Sequence, residues 1–370
     1  MAEIVAAFGV PHAPAFPALV AREGPNCEVA RLYAEIAKHV AAVAPDVLVV
    51  FDSDHFNTFF FDNLPTFLVG VTDVTAGPND QTPMPHYRVR GHAPLAGHLR
   101  GSGIARGFDL SLSQDFDVDH SIMVPLHFLT PQMNIPIVPI FINGLAPPLP
   151  GARRCYALGE MVREAIKEWP ERTRVAVLAS GSFSLEIGGP KIPHGQRAGT
   201  PDEAWARRVQ QLLQHGKVNE LLEEATAVRM ARAGNIGGEL LNWIAMLGTI
   251  GERKPRFIEP QIDHGHSYGA WRWDRDGCTG DERIRRQQAV PRHPARQGVS
   301  RGGQDRSVNR HRAARSDRRR AQGAAYGRRR LAVRARLPPV PARLSDPLGP
   351  VWAHRADLQR AHPQGPRSAG

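Results

Sequence analysis

Cysteine is scarce in this chain, and none of it is arranged in a motif. Cys27, Cys155 and Cys278 are the only three in 370 residues, far apart and odd in number. No Cys-x-x-Cys pair exists, so neither a zinc ribbon nor a disulfide framework is indicated; free thiols in a reducing cytosol are expected. The N-terminus has no basic segment ahead of an apolar run, so no signal peptide is read there. No uninterrupted apolar stretch reaches membrane-spanning length. These absences make a cytoplasmic protein the expectation. Lysine is missing altogether from residues 275–370, which hold 23 Arg, 7 acids and a net charge of +16. The formal charge of +11 is therefore unevenly spread: residues 1–274 carry 24 bases against 29 acids, a net of −5. An ordinary, slightly acidic globular chain is followed by an arginine-rich appendage.

What is present in the first part alternates between strand and helix patterns. Residues 3–10 are nearly all apolar, which suits a buried strand. After a Gly24-Pro25-Asn26 turn, Val29, Leu32, Tyr33, Ile36, Val40 and Val43 recur at helical spacing. Residues 46–51 form a second buried strand, so the chain opens as a βαβ unit. A further strand is read at 65–71, and a long surface loop rich in Pro, Gly, Asp and His at 73–95. Residues 135–143 read as a strand whose Pro136 and Pro139 indicate an edge or irregular position. A helix over about 153–167 and a buried strand at 175–179 follow. The strand runs into a small-residue turn, Ser180-Gly181-Ser182. Thr200-Pro201-Asp202-Glu203 has a capping-box pattern with Pro at the first helical position. Further helices cover about 218–230 and 238–248. The sum is a three-layer α/β/α sandwich around a central mixed sheet, ending near Asp274.

Both early strands end in a histidine. The first runs into Pro11-His12-Ala13-Pro14, the second into Asp52-Ser53-Asp54-His55. Ligands bind at strand ends in open α/β sheets, and if these two strands are parallel neighbours both imidazoles project from one edge. A loop histidine taken alone is more often a surface or hydrogen-bonded residue. Glu239, in Gly237-Gly238-Glu239-Leu240-Leu241, opens an apolar helix. It could simply favour a helix N-terminus, but an inward-facing carboxylate needs a partner such as a metal. Two imidazoles and one carboxylate are the ligand set of a non-haem Fe(II) site with open coordination positions. His120 precedes an apolar run and is either a core histidine or, in a metal pocket, a general acid or base. His264-Gly265-His266 is a weaker metal candidate, and His86 and His92 are expected to face solvent.

Gly9-Val10-Pro11-His12, Asp54-His55, Val118-Asp119-His120 with Val124-Pro125-Leu126, and Gly238-Glu239-Leu240 together resemble the class III extradiol ring-cleavage dioxygenases. The likeness is to the protocatechuate 4,5-dioxygenase β-subunit type and covers roughly residues 4–270. It implies ferrous iron, Fe(2+), held by His12, His55 and Glu239, with His120 as the acid–base group. It implies a catecholic acid of protocatechuate or gallate type and O2 as substrates. It also implies a homo-oligomer or a complex with a small α-subunit. One departure stands out. The family often has a second catalytic histidine in a Gly-x-Ser-His pattern followed by Gly-Pro. Here Leu185 takes that place, and leucine cannot transfer a proton; Glu186 and His194 are the nearby substitutes. A metal-binding relative with hydrolytic or other chemistry is the alternative that Leu185 motivates.

Residues 275–370 contain only two aromatics, Tyr326 and Trp352, and many Pro and Gly. Such a composition buries little apolar area, and a disordered tail is expected. Twenty-three Arg without one Lys is also what a frameshift in a GC-rich gene produces. A nucleic-acid-binding arm is the competing reading, since arginines neutralise phosphates, but nucleic acid is not the expected partner.

Overall fold

The computed structural model describes residues 1–80, 83–261 and 264–273, and all of these fall within one compact unit, Met1–Gly280. The arginine-rich segment 275–370 lies outside the described residues.

The strands are β1 (Glu3–Val10), β2 (Val47–Asp52), β3 (Phe67–Gly70), β4 (Val74–Gly77), β5 (Tyr87–Arg90), β6 (Ser111–Ser113), β7 (Ile137–Ile142), β8 (Arg174–Ser180), β9 (Glu186–Ile187), β10 (Ala198–Gly199), β11 (Phe257–Gln261) and β12 (His266–Arg272). The helices are α1 (Phe16–Glu23), α2 (Glu28–Val43), α3 (Ala93–Ala105), α4 (His120–Leu129), α5 (Ala152–Glu168), α6 (Glu203–His215), α7 (Val218–Glu224), α8 (Ala227–Arg232) and α9 (Leu240–Ile250). A 3-10 turn, Gly237–Glu239, leads into α9.

Eight strands form one mixed sheet in the order β11-β12-β1-β8-β2-β7-β3-β6. The middle four, β1, β8, β2 and β7, are mutually parallel, and β12 and β3 flank them antiparallel. Side chains alternate across this sheet because the strand period is two, save at a register shift in β1 between Ile4 and Ala6. In β2, Val47, Val49 and Phe51 join the core on one face, while Leu48 and Val50 join the core on the other. The first core contains buried residues of α3, α5, α6, α7 and α9, the second those of α2 and α4. The expected three-layer sandwich with a mixed sheet is therefore what forms. α2 buries the six residues whose spacing predicts it. α9 instead buries all eleven of its residues, as befits a helix apolar all round.

Several local expectations are corrected. β1 and β2 are parallel but not neighbours, because β8 lies between them and pairs with both. β7 is interior rather than an edge. Its pairing with β3 runs from Ile142 to Ile140 and stops before Pro139, which has no N–H to offer. Gly70 supplies the room: a Cβ there would lie 2.8 Å from the Pro139 ring and 2.4 Å from Phe116. The supposed loop 73–95 contains the hairpin β4–β5 and the start of α3, where the His92 side chain caps the helix by accepting the Leu95 N–H. His92 is half-buried, while His86 is exposed as expected. α6 begins two residues late, because the Asp202 carboxylate, not Thr200, caps it by accepting the Trp205 N–H at 2.9 Å. The single helix expected at 218–230 is two, divided by the Thr226 cap of α8.

Candidate metal centre

Four chain segments meet at the C-terminal ends of the parallel strands, where open α/β sheets place their ligands. His12 follows β1, His55 follows β2, His120 opens α4, and Glu239 ends the 3-10 turn before α9. All four are buried; Glu239 is wholly so. His12 Nε2 lies 3.0 Å and His55 Nε2 2.9 Å from the same oxygen, Glu239 Oε1. The His55 ring centroid is 5.1 Å from that of His12 and 4.5 Å from that of His120. Ligand nitrogens of His12, His55 and His120 fall within 4.8 Å of one another. Tertiary folding thus brings together the three expected ligands and the expected acid–base histidine.

The surrounding hydrogen bonds fix which nitrogens carry protons. Ser180, at the end of β8, donates its single hydroxyl proton to the Ser121 carbonyl at 2.7 Å. It can then only accept from His12 Nδ1–H, also at 2.7 Å. His55 Nδ1 faces a carboxylate oxygen, Asp119 Oδ2, at 3.1 Å, which requires Nδ1–H. Were both rings neutral, bare Nε2 lone pairs would face a carboxylate oxygen. Three lone-pair donors directed at one another in a buried site repel unless a cation lies between them, a proton or a metal ion. The donor set fits a metal on this ground.

Further residues hold the donors in place. The Ser182 N–H donates to Glu239 Oε2 at 2.9 Å. Gly181 permits this approach, since its φ is +153° and a Cβ would sit 2.7 Å from Glu239 Cβ. Asn242 and Trp243 of α9 donate to the carbonyls of Ser180 and Gly181. Asp119 caps α4 through the Ser121 N–H and also accepts the His55 backbone N–H at 2.8 Å. His120 Nδ1 bonds to the Asp80 carboxylate. None of Ser180, Ser121, Asp119 and Asp80 is assigned a role in the sequence reading. The available signal was the small-residue turn after β8 and the Asp-His-Ser start of α4.

Burial alone would raise Glu239, but the imidazoles of His12 and His55 outweigh it and hold the carboxyl well below the usual range. Burial disfavours the His55 cation, yet Asp119 and Glu239 overcome it and raise this histidine. Asp119 is likewise pulled down against its burial, chiefly by His55. His120 is lowered by burial and by His55, with Asp80 opposing. Asp52 is pushed up to about 7 and Asp54 to about 6, each by burial and then by the negative Asp119.

Other candidates fall elsewhere. Glu186 accepts from the Asn235 N–H at 2.7 Å and pairs with Lys191 at 3.4 Å, and His194 is exposed. Leu185 is half-buried, and its carbonyl accepts the Ile236 N–H. His266 bonds to Gln261 within its own hairpin. A small, partly open depression lined by Phe56, Phe59, Leu64, Phe141 and Asn143 lies beside the His55 loop; none of the four converging residues lines it.

The chain is similar to known proteins over this same region. A family model described as the catalytic LigB subunit of aromatic ring-opening dioxygenase matches residues 6–271. A gallate dioxygenase of Pseudomonas putida is 34% identical over 184 residues, which cover 49% of this chain and 50% of that protein. A 2,3-dihydroxyphenylpropionate/2,3-dihydroxicinnamic acid 1,2-dioxygenase of Klebsiella pneumoniae is 27% identical over 266 residues, covering 60% of this chain and 82% of that protein. The enzyme of the same name from Paraburkholderia xenovorans is 34% identical over 187 residues, covering 49% of this chain and 55% of that protein. The chain thus spans only about half the length of the gallate dioxygenase it matches. With the family match running from β1 to β12, the chain belongs to the family of catalytic LigB subunits of aromatic ring-opening dioxygenases.

Proposed function

We propose that this protein is an Fe(II)-dependent extradiol dioxygenase that opens the ring of a catecholic acid of the protocatechuate or gallate type with O2. The observation that carries this reading is the convergence of His12 Nε2, His55 Nε2 and Glu239 Oε1 in a buried cluster at the strand ends. His12, His55 and Glu239 would hold the metal. Ferrous iron bound there would supply redox chemistry with O2 that no side chain has. The substrate class is supported by the names of the relatives, each of which acts on an aromatic compound with adjacent hydroxyls. A homo-oligomer or a complex with a small α-subunit belongs to the same proposal.

The protein's own residues do the rest. Ser180 and Asp119 fix the imidazole tautomers, so both Nε2 lone pairs face the centre. The Ser182 N–H holds the second oxygen of Glu239 and leaves the first for the centre. His120 is oriented by Asp80 through Nδ1, which leaves Nε2 to take a proton from a catechol hydroxyl and return it later. Its lowered basicity keeps it neutral, and thus able to accept, near neutral pH. Leu185 cannot supply a second such group, and neither Glu186 nor His194 lies among the donors.

A second reading has an observation of its own. His12, His55 and His120 also form a compact three-nitrogen group, the set that holds a hydrolytic zinc in other folds. Metal analysis of anaerobically purified protein, with oxygen uptake on protocatechuate and gallate, separates the two. The dioxygenase reading expects iron, catechol-dependent uptake and a ring-fission absorbance, with iron and uptake abolished by His12→Ala, His55→Ala and Glu239→Ala. Full iron retention in any two of these variants overturns the ligand set. Zinc without oxygen uptake overturns the activity.

A further inference from the structure

Behind His55 lies a carboxyl group that the proposed chemistry does not use. Asp52 closes β2 and is wholly buried. Its Oδ1 is buried with no hydrogen-bond partner among the described residues, while its Oδ2 lies 2.7 Å from Ser121 Oγ. That hydroxyl also bonds to Asp119 Oδ1. A serine hydroxyl has one proton, yet here it stands between two carboxyls, both at hydrogen-bond reach. Two such contacts need two protons, so one carboxyl must hold the second.

The donor count decides which one. Asp119 already accepts the His55 backbone N–H, the His55 Nδ1–H and the Ser121 N–H, so it is the ionised member. Asp52 receives no N–H among the described residues, and an ionised carboxylate there would be buried with one oxygen bare, which the lost hydration strongly opposes. Like charges this close do not both ionise.

We propose that Asp52 is a neutral carboxylic acid, and that Asp52–Ser121–Asp119–His55 is a directed hydrogen-bond chain in which Asp52 is a positioning residue for the His55 ring. The Asp52 carboxyl O–H donates to Ser121 Oγ, the Ser121 hydroxyl donates to Asp119, and Asp119 accepts from His55 Nδ1–H. Each link fixes the direction of the next, so His55 can present only its Nε2 lone pair to the centre. The upward shift of Asp52 to about 7 agrees with this assignment.

The proposal rests on the metal-site reading for one arm of its test and not for the other. In the first arm, infrared spectra of 13C-aspartate-labelled protein at neutral pH are compared between the wild type and Asp52→Asn. A protonated-carboxyl band in the wild type that disappears in the variant is expected. Absence of that band from the wild type, or its persistence in the variant, overturns the assignment, whether or not the protein binds metal. In the second arm, Fe(II) affinity is measured by anaerobic titration. Asp52→Ala and Ser121→Ala should weaken binding by about 10- to 100-fold, the usual scale for groups that orient a metal ligand. Asp52→Asn, whose amide can donate to Ser121 as the acid does, should bring affinity back to within about threefold of the wild type. If Asp52→Asn is as weak as Asp52→Ala, an ionised Asp52 is required and the proposal fails. A wild-type protein that binds no iron contradicts the metal-site reading instead, and leaves the infrared arm to decide this one.

Discussion

At the residue scale, one fully buried carboxylate organises the centre. Glu239 Oε1 touches two imidazoles, and Oε2 is held by a backbone N–H, so no lone pair is turned to solvent. His120 differs from the other two histidines in its partner. His12 and His55 are braced by the buried Ser180 and Asp119, whereas His120 is braced by Asp80, whose side chain is 28% exposed. A brace on a more accessible segment suits a group that exchanges protons rather than one that is locked to a metal. His120→Ala should therefore keep its iron and lower turnover by roughly 100-fold or more, measured as oxygen uptake with metal content determined on the same sample. Loss of iron in that variant would instead place His120 in the ligand set.

At the element scale, the site depends on how closely α9 packs over the ends of β1 and β8. Trp243 of α9 lies across Gly9 of β1, where a Cβ would fall 2.3 Å from the indole. Trp243 also ties its indole N–H to the Gly181 carbonyl, beside the turn that holds Glu239. Gly9→Ala should push α9 outward and destabilise the fold by about 1–3 kcal/mol, the usual cost of forcing a methyl into a packed core. The check is the urea midpoint of the metal-free protein, with unchanged slope. A midpoint equal to that of the wild type would show that α9 yields without cost. The same tight contact explains why α9 carries no amphipathic stripe: all its faces are buried.

At the scale of the whole molecule, the family match ends at residue 271, close to where the composition changes. The segment beyond, 275–370, which lies outside the described residues, holds 23 Arg against 7 acids and two aromatics. A chain truncated after Asp274 should match the full-length protein in iron content and turnover, and limited proteolysis should remove the tail first. At the gene, another reading frame past the Asp274 codon should encode a less arginine-rich continuation with ordinary helix or strand patterning. A tail that resists protease as a compact unit, with no such frame, would favour the basic-arm reading. Among the described residues, no helix is long and apolar enough to cross a membrane.

The parts of this architecture that depend on local periodicity were legible in the chain itself. The two-sided apolar runs of β1, β2 and β8 and the stripe of α2 follow from side-chain geometry within one element. His12, His55 and Glu239 stood out because strand ends and a carboxylate among apolar neighbours are local patterns as well. The insertion of β8 between β1 and β2 was not legible, since strand order is a choice among long-range pairings of similar apolar runs. Nor was the interior place of β7, because a proline's tolerance depends on which neighbour stops pairing beside it. Ser180, Ser121, Asp119, Asp80 and Asp52 belong to the same class. Asp52, Asp119 and Ser180 lie in stretches that the sequence singled out, but only the fold brings each of these oxygens within hydrogen-bond reach of a histidine or of the next link toward one. Periodicity in the sequence settled which segments are buried. Tertiary structure decided which buried polar atoms share protons, because that depends on distances between residues far apart along the chain.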